Sequence, residues 1–354
     1  MSKPGIGILE NFRQYMSFIK EDTRIISLNE GGTPLIKLDN LTQKLNADIE
    51  IYAKFEGLNP TGSFKDRGMT AAVTQAVQEG ATSIICASTG NTSASAAAYA
   101  ARAGIRAYVL IPEGKIAAGK LAQALIYGAK LIQIRGNFDD AMDMVKTAAN
   151  ELPITLVNSV NPYRLQGQKT AAFEIVDELG DAPDYHCLPV GNAGNISAYW
   201  MGYNEYHSMG KSKLPKMYGY QASGAAPFLQ GEPIKNPETL ATAIRIGNPQ
   251  SWDFAISAVK DSGGHFKAHS DEAIIQAQQL LAATEGIFCE PASAISIAGL
   301  IVDIKDGLIE KGSKVACTLT GNGLKDTDTA TKFVDMDPLL INADAQELAA
   351  LLKD

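Results

Sequence analysis

Short runs of β-branched and aromatic residues alternate with helix-length stretches from about residue 50 onward. IYAKF from Ile51, SIICAS from Ser83, RAYVLI from Arg106, KLIQI from Lys130 and ITLVN from Ile154 predict strands. So do YHCLPV from Tyr185, KMYGYQA from Lys216 and KVACTL from Lys314. Helical stretches fall between most of them, such as Asn137 to Glu151 and Asp271 to Glu285. That alternation predicts an α/β fold with a mostly parallel sheet and helices on its faces. Several strands are apolar throughout, which suits burial on both sides. No repeat, low-complexity tract or linker breaks the rhythm.

The strands end in polar, turn-forming residues. SIICAS runs into Thr89-Gly90-Asn91-Thr92, ITLV into Asn158-Ser159, YHCLPV into Gly191-Asn192-Ala193-Gly194-Asn195, and KVACTL into Thr320-Gly321-Asn322-Gly323. One Gly-Asn turn says little, because both residues accept positive φ. Several at successive strand ends point to a site, since open parallel sheets bind ligands beyond their carboxyl ends. Gly191 to Asn195 is the best anion cradle among them. It opens a predicted helix from Ile196 to Met209, whose first N–H groups are free to meet a negative charge. The loop holds no lysine, so backbone and helix dipole would do the binding.

The 354 residues exceed what one hydrophobic core organises, and two domains are expected, with the chain crossing between them more than once. The composition is 45% apolar and 20% charged, that of a soluble globular protein. The net charge is −8 and no basic block stands out, which argues against nucleic acid or anionic membrane as partner. The longest apolar window, between Glu290 and Asp303, is shorter than the roughly 20 residues of a membrane span. The N-terminal MSKPGIGILENFRQ has no signal-peptide pattern. Cys86, Cys187, Cys289 and Cys317 lack paired spacing and read as reduced thiols, which fits a cytoplasmic location.

Two patterns imitate known sites. Gly114 to Lys120 has P-loop spacing, but Leu121 stands where a magnesium-binding Ser or Thr belongs. His265 and His269 are four apart without an intervening Glu, and Ser270 reads as the cap of the next helix. A strand with one exposed His is the better reading, and no metal site is expected.

The stretch Asn59-Pro60-Thr61-Gly62-Ser63-Phe64-Lys65-Asp66-Arg67-Gly68 is the most informative. Pro60 and Gly62 build a turn, Ser63 can cap, and Lys65 falls in the first turn of a helix running towards Gln78. The positive field at a helix start, with burial, lowers a lysine pKa and makes the amine a better nucleophile. The residues alone leave a second reading open, a solvated lysine paired with Asp66 or a nearby Glu.

This segment resembles the cofactor-lysine motif of the fold type II pyridoxal-phosphate enzymes, the tryptophan synthase β-like family. The resemblance runs in order through Gly31-Gly32-Thr33-Pro34-Leu35, the lysine motif, Ser88 to Thr92, Asn158 to Arg164, the Gly191–Asn195 loop and Thr320 to Asp326. It implies two open, twisted, mostly parallel sheets flanked by helices. Residues 1–84 and 158–354 would form a large cofactor-binding domain, and 85–157 a small mobile one. By the same resemblance, Lys65 carries pyridoxal 5'-phosphate as the catalytic residue. Gly191, Asn192, Ala193, Gly194 and Asn195 wrap the cofactor phosphate, Asn91 meets the ring 3-oxygen and Thr320 the ring nitrogen. A hydroxyl at that nitrogen, unlike a carboxylate, does not favour a charged ring.

For the substrate, the resemblance implies contacts from Ser88, Thr89 and Thr92, and a phosphate grip from Asn158, Ser159 and Arg164, with Lys54 as a further contact. Arg164 suits a bidentate hold. Asp66 after the lysine, the alternating Gly-Asn loop and the Asn-Ser-Val-Asn-Pro-Tyr-Arg segment favour the branch acting on a phosphorylated substrate. The implied lyase reaction is O-phospho-L-homoserine plus water giving L-threonine and phosphate, in threonine biosynthesis, by a homodimer. The long N-terminal extensions of some relatives are not expected, because Lys65 comes early. Two other readings stay open: a threonine or serine dehydratase, and a retired enzyme that only binds a phosphorylated metabolite.

Overall fold

In the computed structural model, residues 5–114, 118–334 and 338–352 are described. The first four residues and residues 115–117, which fall inside the P-loop look-alike, lie outside them. The strands are β1 (Leu35–Lys37), β2 (Glu50–Phe55), β3 (Ser83–Ala87), β4 (Arg106–Pro112) and β5 (Lys130–Ile134), then β6 (Thr155–Leu156), β7 (Tyr185–Pro189), β8 (Lys216–Ala222), β9 (His265–His269) and β10 (Lys314–Leu319). They form two sheets. One has six strands in the order β1-β2-β10-β7-β8-β9, parallel except for β1, and the other four parallel strands in the order β5-β4-β3-β6. The expected fold class is what the chain adopts.

The all-apolar strands are central ones. Every residue of β3 and β7 is buried, as both faces carry helices. The helix Asp271–Glu285 begins where expected: the Ser270 hydroxyl accepts from the Ala273 N–H at 3.3 Å, acids fill the first turn, and left-handed Gly286 ends it. The longest apolar window is the helix Pro291–Lys305, a core element packed under β7, β8 and β10.

Three details differ from expectation. β6 stops at Leu156, two residues early, because the Asn158 side chain replaces the ladder: its Oδ1 accepts from the Ala87 N–H and its Nδ2 donates to the Ala87 carbonyl, both at 2.9 Å. β1 is too short to show an alternating pattern. Neither histidine of β9 is the exposed one expected, since the Pro291–Lys305 helix covers that strand. His265 Nε2 lies 2.9 Å from the Asp303 carboxylate, and His269 is buried.

The helix Lys65–Gln78 belongs to both cores. Met69, Ala72, Val73 and Ala76 pack beneath the four-stranded sheet, and Ala71 joins the core of the other unit. Its outer neighbour is the helix Pro162–Gln168. A Cβ on Gly167 would stand 1.8 Å from the Arg67 carbonyl oxygen, so the backbones touch only because that residue has no side chain.

Candidate active site

Lys65 is delivered by a turn and held by the tip of β10. Gly62, at φ +86°, donates its N–H to the Asn59 carbonyl at 2.8 Å. The Phe64 N–H then donates to Thr320 O at 2.9 Å, and the Asn322 N–H to Gly62 O at 2.9 Å. The helix starts at Lys65 without a side-chain cap. Ser63 is not that cap: Phe64 already has helical angles, Ser63 pairs as a β-bridge with Gly321, and its hydroxyl is a buried group without a partner among the described residues.

The solvated-lysine reading does not describe Lys65. The residue is half-buried, with its amine 4.2 Å from the Phe64 ring centre. Burial and the Arg164 guanidinium lower its pKa to about 7, against the opposing pull of Glu290. Asp66 is occupied elsewhere, accepting from Thr61 N–H at 2.7 Å, Thr61 Oγ1 at 2.6 Å and Ser95 Oγ at 2.6 Å. Burial still raises it to about 6.

The Gly191–Asn195 loop crosses the end of β7 and opens the helix Gly194–Ser208. Ala193 takes left-handed angles (φ 64°), and no side chain caps this helix start. Gly191 lies against Ile244, whose Cα would be 2.9 Å from an added Cβ. Both polar atoms of the Asn195 amide are buried without a partner among the described residues. Such orphans are rare and mark a place where a ligand completes the bonding.

A second candidate anion site adjoins the first. Asn192 Nδ2 donates to Ser159 Oγ at 2.5 Å. Arg164 is 3% exposed; its Nη1 reaches only the Val157 carbonyl, at 3.3 Å, and its Nε has no partner among the described residues. Burial lowers its pKa to about 10. A buried cation so poorly satisfied is costly to the fold, and its geometry is that of a receptor for a bidentate anion. Asn158, by contrast, spends its carbonyl and one amide hydrogen on Ala87.

Ser88, Thr89, Asn91 and Thr92 are half-buried where β3 gives way to the helix Asn91–Ala103; Ser88 Oγ accepts the Gly90 N–H at 3.2 Å. Thr320 is buried at the end of β10, its hydroxyl 2.9 Å from Ser293 Oγ, which also accepts the Gly321 N–H at 2.9 Å. Lys54 is engaged away from any open anion site. Its ammonium donates to Glu174 at 2.7 Å and to the Thr33 carbonyl, within a buried network where Arg67 grips Glu56 (2.7 Å) and Glu174 (2.6 Å). Burial would raise the Glu174 pKa, but Arg67 and Lys54 outweigh it and hold the carboxyl at about 2.

Sequence reasoning missed Glu290. Its buried carboxylate accepts from Asn91 Nδ2 at 3.0 Å to each oxygen, and burial raises its pKa to about 7. An acid directly before a proline and an apolar helix was the available signal. Lys325, also missed, donates to the Thr61 carbonyl at 3.0 Å and meets Gln123 Oε1 from the four-stranded unit.

Pyridoxal phosphate fits this constellation. The amine is poised near neutrality, the helix start has no side-chain cap, and Asn195 and Gly191 leave a cradle with polar atoms unsatisfied. The fold and site define a pyridoxal-phosphate-dependent enzyme of fold type II, and the family description "Pyridoxal-phosphate dependent enzyme" matches residues 26–321. Among solved structures, maize serine racemase superposes with a TM-score of 0.74 at 19% identity, covering 99% of this chain and 98% of that one. The processed form of threonine deaminase isoform 2 from Solanum lycopersicum gives 0.73 at 20%, covering 99% and 90%. These likenesses show the fold alone.

Sequence relatives are more specific. The chain is 60% identical to the threonine synthase of Mycobacterium tuberculosis over 347 residues, 96% of each chain. It is 58% identical to that of Synechocystis sp. over 327 residues, 92% of this chain and 85% of the relative. The chain belongs to the threonine synthase family of pyridoxal-phosphate-dependent lyases.

Proposed function

We propose that the chain converts O-phospho-L-homoserine and water to L-threonine and phosphate, with the residue roles that follow. The observation carrying this reading is the pairing of two anion-binding features through Asn192 and Ser159, beside a lysine whose amine titrates near 7. One holds the cofactor phosphate, at Gly191, Asn192, Ala193, Gly194 and Asn195. The other, Ser159 and Arg164 with the remaining Asn158 hydrogen, grips the substrate phosphate. A dehydratase would leave Arg164 with no anion to bind.

Pyridoxal phosphate, when bound, supplies an electron sink for charge developing at the substrate α-carbon. Lys65 would hold it, and the freed Lys65 amine would move protons: off Cα and Cβ as phosphate leaves Cγ, and back to Cγ and Cα as water adds its hydroxyl at Cβ, the remaining water proton leaving with phosphate. A pKa near 7 suits an amine that must both take and return a proton. Thr320 would meet the ring nitrogen with a neutral hydroxyl, and Asn91 the ring oxygen. Ser88, Thr89 and Thr92 orient the substrate carboxylate. Lys54 has a structural part, balancing Glu174.

Residues 85–157 act as the small domain, closing to exclude water. Asn91–Glu290 and Gln123–Lys325 contacts, which cross between the two sheet units, support that motion's end point. The protein works in the cytoplasm as a homodimer: four buried free thiols suit a reducing compartment, and the assembly follows the family resemblance. Phosphate release from O-phospho-L-homoserine by holoenzyme, with the amino acid identified, tests the reaction. Equal amounts of phosphate and threonine are expected; keto acid from threonine without phosphate release would replace this reading with the dehydratase. Light scattering of the holoenzyme tests the dimer.

A further inference from the structure

We propose that Glu290 is a positioning residue that fixes the Asn91 amide against the cofactor ring and clasps the head of the Asn91–Ala103 helix to that of the Pro291–Lys305 helix. The inference rests on the reading of Asn91 as a cofactor contact. An asparagine amide can rotate and present either end. With both Glu290 oxygens 3.0 Å from Nδ2, the acid dictates which end is donor, and the second amide hydrogen remains for the ring oxygen.

The position is built for that task. Glu290 stands at the cap position of its helix yet makes no side-chain cap bond; the carboxylate points away to Asn91 instead. Its own N–H donates to Gly321 O at 3.0 Å. Cys289 pairs with Asn322, and the Cys289 carbonyl accepts from Gln278 Nε2 at 2.6 Å. The backbone is thus pinned on both sides. Gly321 makes room for the carboxylate, because a Cβ there would sit 2.0 Å from Oε2.

Two other buried acids of this fold, Glu56 and Glu174, are neutralised by Arg67 and Lys54, whereas buried Asp66 is met by three neutral donors from Thr61 and Ser95. Glu290 forms no ion pair among the described residues. The charged groups that face it are Lys65 from its helix and Lys325 and Asp326 from the segment after β10, with the Cys289 thiol adjacent. Burying a carboxylate on a single neutral partner works against stability, and burial accordingly pushes its pKa up to about 7. A group retained at that cost, touching the side chain that meets the ring, positions it.

The test compares wild-type holoenzyme with Glu290→Ala, Glu290→Gln, Asn91→Ala and the Asn91→Ala/Glu290→Ala double variant, reading kcat, KM and the visible band of the bound cofactor. Glu290→Ala should lower kcat about tenfold with KM changed less than about twofold, and shift the band as Asn91→Ala does. Glu290→Gln, which keeps an acceptor oxygen, should recover most of kcat. In the Asn91→Ala background, Glu290→Ala should add less than about a twofold further loss. Losses that multiply in the double variant, or an unshifted band in Glu290→Ala, would overturn the proposal. If Glu290→Ala does not fold, Glu290→Asp, too short to reach the amide, takes its place in the same cycle. The band needs no substrate, so a wild type that releases no phosphate would refute the proposed reaction while this cycle still judges Glu290.

Discussion

Asn192 and Ser159 are hydrogen-bonded to each other, Nδ2 to Oγ at 2.5 Å, although they lie at the ends of strands in different sheets. The contact joins the loop before the Gly194–Ser208 helix to the segment leading to Arg164. The loop proposed for the cofactor phosphate and the segment proposed for the substrate phosphate thereby share a wall.

Replacing Lys65 by Ala removes the only group proposed both to hold the cofactor and to move protons. Turnover should fall by roughly 10³-fold or more. The visible band of the purified protein should vanish with it. Absorbance and phosphate release check this, and a variant that stays yellow and active refutes the role.

Arg164→Met should separate function from stability. The guanidinium is buried with an unsatisfied Nε, so an apolar side chain of similar length should leave Tm unchanged or raise it. KM for the phosphorylated substrate should rise about a hundredfold, as a charged bidentate contact is lost. Calorimetry and steady-state kinetics give the two numbers.

Protein freed of cofactor should show two pH windows of opposite slope. Lys65, lowered from 10.5 to about 7, binds fewer protons folded than unfolded, so stability rises with pH between about 7 and 10.5. The slope is at most about 1.4 kcal/mol per pH unit. Glu290, raised from 4.5 to about 7, does the reverse, and stability falls as pH rises from about 4.5 to 7. Asp66, raised from 3.8 to about 6, adds to that fall. Denaturant melts of Lys65→Met should lose the upper window, and those of Glu290→Gln part of the lower one.

Gly167→Ala should cost about 3 kcal/mol or more, since its methyl would collide with the Arg67 carbonyl and drive two helices apart. A urea melt would show it. A loss below about 0.5 kcal/mol would mean that the helices separate easily.

Much of this site was legible because its parts are local. Asn59 to Lys65 writes its own turn, and Gly191 to Asn195 its own helix start. What escaped depends on distant partners. Lys54 looked available until folding set it on Glu174, 120 residues later. Glu290 stood only as the edge of the longest apolar window, because only the return of β10 brings Gly321 beneath its carboxylate. The early end of β6 depends likewise on Asn158 finding Ala87 in another strand. The fold class was legible in the apolar runs, whereas β1, three residues at a sheet edge, carried no pattern to read.

The contact at Gly167 also sets a length. Lys65 begins one helix and Arg164 lies in the other, and with no side chain between them the backbones meet at Arg67. Gly68 repeats the arrangement, as a Cβ there would stand 3.1 Å from the Arg164 carbonyl oxygen. Amine and guanidinium are therefore carried on one stiff frame, like the jaws of a caliper. Under the proposed roles, a compound bearing a reactive amine and a phosphate would be gauged by the number of carbons between them, before any chemistry begins.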